Sequence, residues 1–174
     1  MAFERISSEE VFAGDLIRVR REHYRHDDGE VVEREVAAHP GASVIAAHDG
    51  ESVYLVEQPR EVVGEEALLE LPAGKIDPGE TPEQTAAREL VEEIGRRAGT
   101  LERLATVYAS PGFSDETFHI FLATELAEEA GEVDEEERIT VRQLPLAGLG
   151  ELIGEVRDAK TLIGLLLLAR RLDA

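Results

Sequence analysis

Cysteine is absent from this sequence. That excludes disulfides, thiolate metal centres and thiol nucleophiles. Histidine is scarce as well: His23, His26, His39, His48 and His119 are scattered, with no paired ligand spacing. A metal site in this chain must therefore be built from oxygen ligands, the chemistry of Mg²⁺, Mn²⁺ or Ca²⁺. Positive charge is also short. The 18 Lys and Arg face 38 Asp and Glu, for a net charge of −20. A surface that acidic repels phosphate backbones, and no basic stripe offsets it, so no nucleic-acid partner is expected. Long apolar runs are missing too. The longest, Leu162 to Ala169, falls well short of the ~20 residues that span a bilayer and reads as a core helix or dimer contact. The first residues, MAFERISSEE, lack the basic-then-apolar pattern of a signal peptide. The expectation is a cytoplasmic protein with no membrane partner.

What is present suffices for one core, with or without a small extension: 174 residues, 43% of them apolar. Asp28-Gly29 between HYRH and EVVEREV is a hairpin signature, and Asp49-Gly50 between SVIAA and SVYLVEQ is another. Further strands are expected over Leu104–Ala109, Thr117–Thr124 and Ile139–Leu144. One helix is well marked. Thr81-Pro82-Glu83-Gln84 forms a capping box with Pro at the first helical position, and Gly95 supplies the stop. Two more helices are expected over Leu146–Arg157 and Ala159–Leu172. Strands and hairpins interleaved with helices, without steady alternation, predict an α/β or α+β layered fold.

The helix from Pro82 to Ile94 carries the chemistry. At 100° per residue, Glu89, Glu92 and Glu93 fall within an arc of about 100°, and Ala87, Leu90, Val91 and Ile94 fall opposite, ready to bury on a sheet. Carboxylates at i, i+3 and i+4 repel one another in water. A divalent cation between them would turn repulsion into ligation. Arg88, four before Glu92, can orient it. The alternative is a merely solvated acidic face. The preceding stretch, Leu71-Pro72-Ala73-Gly74-Lys75-Ile76-Asp77-Pro78-Gly79-Glu80, weighs against that, because a Gly/Pro-punctuated loop can bring backbone close to a ligand. Within it, Lys75 is equally a phosphate contact or a surface cation.

These residues resemble a known signature. Gly74, five residues, Glu80, seven residues, then Arg88-Glu89-Leu90-Val91-Glu92-Glu93-Ile94-Gly95 matches the Nudix box G-x5-E-x7-R-E-U-x-E-E-x-G-U except at Arg96, where the pattern has an aliphatic residue. The resemblance extends to the ADP-ribose pyrophosphatase subfamily. It is carried by VEQPREVVGEEALLELPAGKIDPGE, by ASPGFSDE with Pro111 sixteen residues past Gly95, by DEEERI and by DAKTLIGLLL.

That resemblance implies a Nudix fold, a mixed sheet sandwiched between helices over residues 39–174. Residues 1–38 would form a small antiparallel β extension that builds a homodimer. It implies Mg²⁺, or Mn²⁺, held by Glu89, Glu93, Glu92 and the Ala73 carbonyl, with Arg88 orienting the carboxylates. Gly74, Glu80 and Gly95 would shape the box, and Glu135 or Glu137 would help activate water. Arg60 and Glu70 would contact substrate. Ser110, Gly112, Phe113, Asp115 and Glu116 would line the ribose-phosphate end, and Leu16, Arg34 and Glu35 would hold adenine. The implied reaction is hydrolysis of ADP-ribose to AMP and ribose 5-phosphate. Competing readings are a hydrolase of other nucleoside diphosphate sugars and a non-catalytic ADP-ribose sensor, which would have no need of Arg88, Glu89, Glu92 and Glu93 together. RNA decapping is disfavoured by the charge.

Overall fold

The computed structural model describes residues 2–14, 17–130 and 138–173. Its contacts divide the chain into two compact units, Met1–Gly41 with Val107–Thr117, and Ala42–Thr106 with Phe118–Ala174.

In the first unit, β1 (Phe3–Ala13), β2 (Arg18–His26) and β3 (Val31–Ala38) form an antiparallel sheet in that order. The β2–β3 turn falls at Asp28-Gly29. Gly29 takes φ 90°, which glycine adopts at little cost, and Asp28 Oδ1 accepts the Glu30 N–H at 2.9 Å. β1 is an edge strand exposed along its whole length. The segment after Val107 groups with this sheet, a partnership that no pattern in the sequence announces. The Ala37 N–H donates to the Phe113 carbonyl at 2.8 Å, and the Ser114 hydroxyl donates to the Ala37 carbonyl at 3.0 Å.

The second unit is built on a mixed sheet. Its strands are β4 (Ala42–His48), β5 (Ser52–Arg60), β6 (Glu65–Glu70), β7 (Ala73–Lys75), β9 (Thr100–Tyr108), β10 (Thr117–Thr124) and β12 (Thr140–Pro145). A separate small ribbon pairs β8 (Arg96–Arg97) with β11 (Ala127–Glu128). The order in the main sheet is β12-β5-β4-β10-β9, with β6 on β5 and β7 on β4. β10 runs parallel to β4, while β7 pairs antiparallel with it. Among the described residues the unit's α-helices are α1 (Pro82–Ile94), between β7 and β8, and α2 (Leu149–Glu155) and α3 (Ala159–Leu172) after β12.

β4 reads ASVIAAH and is buried from Ala42 to Ala47, as expected of a strand covered on both faces. Alternation divides its side chains. Ile45 and Ala47 join Tyr54, Val56, Phe121 and Ala123 against Ala86, Leu90 and Ile94 of α1. On the other side, α3 packs on β4. Gly164 of α3 sits so close to the sheet layer that a Cβ there would lie 2.3 Å from Leu71 Cδ1 and 3.8 Å from Ile120 Cγ2. Each fully buried Leu or Ile in these layers is worth about 1.5–3 kcal/mol of transfer free energy.

The marked helix has the expected ends. Thr81 Oγ1 accepts the Gln84 N–H, the Gln84 side chain accepts the Thr81 N–H, and Gly95 closes the helix at φ 64°. Its wheel needs correcting. Ala87 is exposed and Val91 half-buried, whereas Glu89 and Glu93 are buried with Ala86, Leu90 and Ile94. The buried arc is turned toward the carboxylates because β7, expected as loop, lies over that side. The helix expected over Leu146–Arg157 is a 3₁₀ turn at Leu146–Gly148 followed by α2. No described helix is long and apolar enough to cross a membrane.

Candidate active site

Pairing of β7 with β4 sets Ala73 opposite Val44 and Gly74 opposite Ser43. This brings the backbone of 73–75 against the C-terminal half of α1, from Arg88 to Glu93, and the two elements exchange specific contacts. The Ala73 N–H donates to Glu93 Oε2 at 2.9 Å. A Cβ on Gly74 would lie 1.7 Å from Glu89 Oε1. Glycine is therefore required so that the carboxylate can occupy that space. Glu89 is 8% exposed and Glu93 7%, unusual for ionisable side chains unless they are paired or ligating.

Arg88 is the hub of the cluster. Nη1 lies 2.7 Å from Glu89 Oε1 and 2.7 Å from Glu92 Oε2. Nε and Nη2 each donate to Glu80 at 3.1 Å, and Nη2 reaches the Lys75 carbonyl at 3.3 Å. Glu80 also accepts the Thr85 hydroxyl at 2.8 Å. The Arg88 hydrogen bonds, with help from Thr85, lower the Glu80 carboxyl from its ordinary 4.5 to about 2. The same bonds, Glu80 foremost, raise the Arg88 guanidinium. Of Lys75, it is the carbonyl that the structure uses; its side chain is exposed.

The donors on this face are carboxylates and backbone oxygens, hard ligands suited to Mg²⁺ or Mn²⁺. The Gly74 cradle and the two buried carboxylates fit such an ion. Among the described residues no three acidic or histidine side chains already form a cation cage. Arg88 stands between Glu89 and Glu92, and Glu93 is turned to the Ala73 amide, so these carboxylates would re-aim to receive an ion.

Arg60 and Glu70 are brought to each other. Nε and Nη2 of Arg60 grip the two Glu70 oxygens at 2.6 and 2.9 Å. Burial alone would raise the Glu70 carboxyl; the Arg60 and Lys160 cations outweigh it and hold the pKa below its ordinary value. Arg96, the departure from the box pattern, pairs with Glu128 at 3.0 Å and lies over the Tyr54 ring at 5.7 Å. Its cation–π contact covers apolar surface as an aliphatic side chain would.

The first unit holds a cleft of about 550 Å³, within the range of small-ligand pockets. Arg34, Glu35, Gly112, Phe113 and Asp115, all expected at substrate, line it. Ser110 and Glu116 do not. The Ser110 carbonyl caps the turn by accepting the Phe113 and Ser114 N–H groups, and the Glu116 carbonyl accepts from Ala109. Sequence reasoning missed the charged floor of this cleft. Buried Glu22 accepts from Arg5 at 2.9 Å, Arg20 at 3.0 Å, the Ser8 hydroxyl at 3.1 Å and the Tyr24 hydroxyl. Arg20 also reaches Asp115 at 2.5 Å. Only strand alternation across β1 and β2 could have grouped these residues, and it carries no sign of a shared partner. Leu16, Glu135 and Glu137 lie outside the described residues.

A NUDIX domain model matches residues 37–163. The chain belongs to the NUDIX family. An ADP-ribose pyrophosphatase of Bacillus subtilis (strain 168) is 42% identical over 161 residues, which cover 90% of this chain and 86% of that one. An ADP-ribose pyrophosphatase of Mycobacterium tuberculosis (strain ATCC 25618 / H37Rv) is 39% identical over 171 residues, covering 94% and 82%. Among solved structures, the crystal structure of an ADP compounds hydrolase superposes with a TM-score of 0.87 at 25% identity, over 99% of this chain and 95% of that chain. The mixed sheet with its helices is the Nudix fold.

Two outcomes follow from this NUDIX geometry. Gly74→Ala pushes the Glu89 carboxylate out of its cradle. Turnover should fall about a hundredfold, while thermal melting shows the fold intact. Because Glu80 is depressed in the folded state, its stabilisation is fully present above pH 4.5 and is lost as pH falls through about 2. Glu80→Gln should therefore flatten the loss of stability across that window in acid-denaturation curves recorded in EDTA.

Proposed function

We propose that the protein hydrolyses the pyrophosphate bond of ADP-ribose, releasing AMP and ribose 5-phosphate, as a Mg²⁺-dependent Nudix pyrophosphatase. The observation that carries this reading is the acidic face of α1 locked to the Gly74 backbone, in a chain similar over nine-tenths of its length to an ADP-ribose pyrophosphatase.

Hydrolysis adds water across the P–O–P bridge. The water oxygen bonds to one phosphorus, the bridging oxygen leaves on the other phosphate, and a base takes the proton. In this reading Glu89, Glu93, Glu92 and the Ala73 carbonyl hold Mg²⁺, with Mn²⁺ as a substitute. The bound ions neutralise phosphate charge and lower the pKa of water. Arg88, fixed by Glu80, orients the carboxylates as they turn to the ion. Arg60 offers a guanidinium to a phosphate oxygen in the bidentate way that lysine cannot. Glu135 or Glu137 serves as the base. In the first unit, Arg34, Glu35, Phe113 and Asp115 take the nucleoside and ribose ends, a role supported by the cleft they line, with Leu16, Ser110, Gly112 and Glu116 contributing from the same segments.

The same reading makes residues 1–38 a dimerisation element on a Nudix domain of 39–174. β1 supports it. As an edge strand it leaves backbone groups unpaired, and Phe3, Val11 and Phe12 on it are exposed, apolar surface that a second copy would cover. A cytoplasmic location, without membrane or nucleic-acid partners, accords with the charge of −20.

A substrate panel with Mg²⁺ tests the reaction. ADP-ribose should give the highest kcat/KM, and Glu89→Gln and Glu93→Gln should each lose about a thousandfold or more. A higher value for ADP-glucose or GDP-mannose replaces ADP-ribose with a broader nucleoside diphosphate sugar class. Fastest release of inorganic pyrophosphate from a triphosphate overturns both. Light scattering at micromolar concentration should report a dimer, and a monomer contradicts the role given to β1.

A further inference from the structure

The first turn of α3 is joined to Arg60 by an unbroken chain of charged contacts. Asp158 caps the helix, accepting the Thr161 N–H at 2.9 Å and the Thr161 hydroxyl at 2.6 Å. That hydroxyl oxygen in turn accepts the Leu71 N–H at 2.8 Å. Lys160 Nζ lies 3.0 Å from Asp158 Oδ2 and 2.5 Å from Glu70 Oε2. Glu70 is gripped by Nε and Nη2 of Arg60.

The Lys160 side chain is 14% exposed and the Arg60 side chain 43%. The ammonium is thus inside the layer and the guanidinium at its surface. Arg60 spends Nε and one edge of Nη2 on Glu70. Its Nη1 edge keeps donors that Glu70 does not use. Arg60 also lies within electrostatic reach of Glu93 on the acidic helix. In the run Asp158 to Thr161, Lys160 meets Glu70 and the Thr161 hydroxyl meets the Leu71 N–H, while Asp158 holds both of these side chains.

We propose that Lys160 is a positioning residue for substrate binding: from α3 it fixes the Glu70 carboxylate, so that Arg60 presents its outer guanidinium edge to a phosphate of the nucleoside diphosphate substrate. This rests on the pyrophosphatase reading above. Glu70 is buried, and with one cation removed its carboxylate turns wholly to Arg60 and draws the guanidinium inward. A rigid fork then becomes a mobile one, and ground-state affinity for an anion falls. A purely structural Lys160 would anchor α3 without any dependence on Arg60.

A double-mutant cycle separates the two. It is run on whichever nucleoside diphosphate derivative the wild-type protein cleaves fastest, so failure of the ADP-ribose assignment leaves it intact. Lys160→Met should raise KM about tenfold with kcat within about threefold, the pattern of lost binding. Lys160→Arg should return KM to within about threefold of wild type. In an Arg60→Ala background, Lys160→Met should add less than about twofold, because the two residues act as one. Should Lys160→Met fail to fold, Lys160→Gln, which keeps a donor without the charge, carries the same cycle. Equal KM increments in both backgrounds, an unchanged KM, or a fall confined to kcat overturns the proposal. A wild-type protein inert toward every nucleoside diphosphate derivative instead removes the reading on which it stands.

Discussion

Two carboxylates held under one-tenth exposed beside a third on the same helix face repel one another unless something cationic or dipolar answers them. In this structure much of the answer comes from the Arg88 guanidinium and from β7. Arg88 is shared by Glu80, Glu89 and Glu92, and the Ala73 amide takes Glu93. Several features of the second unit serve that arrangement. β4 is buried on both faces so that β7 can lie beside it and α1 above it. The capping box fixes where the helix starts, and hence the rotation that turns Glu89 toward Gly74. Glu80, in the turn before the cap, closes the loop onto Arg88. Burial raises the cost of leaving these carboxylates without a countercharge, and that suits the face to a hard cation.

The cluster on α1 was legible because it is local. Gly74, Glu80, Arg88, Glu89, Glu92, Glu93 and Gly95 keep fixed spacings, and a helix converts spacing into geometry. The ends of α1 were legible for the same reason, since its caps are short-range hydrogen bonds among neighbours in the chain. What failed was the rotation of α1 about its axis. Leu90 and Ile94 are buried as expected, but Ala87 is exposed and Val91 half-buried, and only the position of β7 decides that Ala86, Glu89 and Glu93 are covered in their stead. β7 itself was hidden by Pro72 and Gly74, which read as loop until the pairing with Val44 and Ser43 is seen.

The long-range clusters were invisible for another reason. Glu22 draws donors from Arg5, Ser8, Arg20 and Tyr24 across two strands, and Glu70 draws Lys160 from 90 residues away. Each buried acid needs such partners, but a sequence does not say which of many cations supplies them. Charge-assisted bonds around a desolvated carboxylate define a geometry more narrowly than apolar contact does.

The central claim is that the Glu89–Glu92–Glu93 face, with its Gly74 cradle, is a divalent-cation site. Titration of the protein with Mn²⁺, followed by electron paramagnetic resonance of the free ion, tests it without reference to any substrate. Wild-type protein should take up Mn²⁺ in competition with Mg²⁺, and Glu93→Gln should weaken that uptake by about tenfold or more with an unaltered melting temperature. Equal Mn²⁺ affinity in wild type and variant would contradict the account.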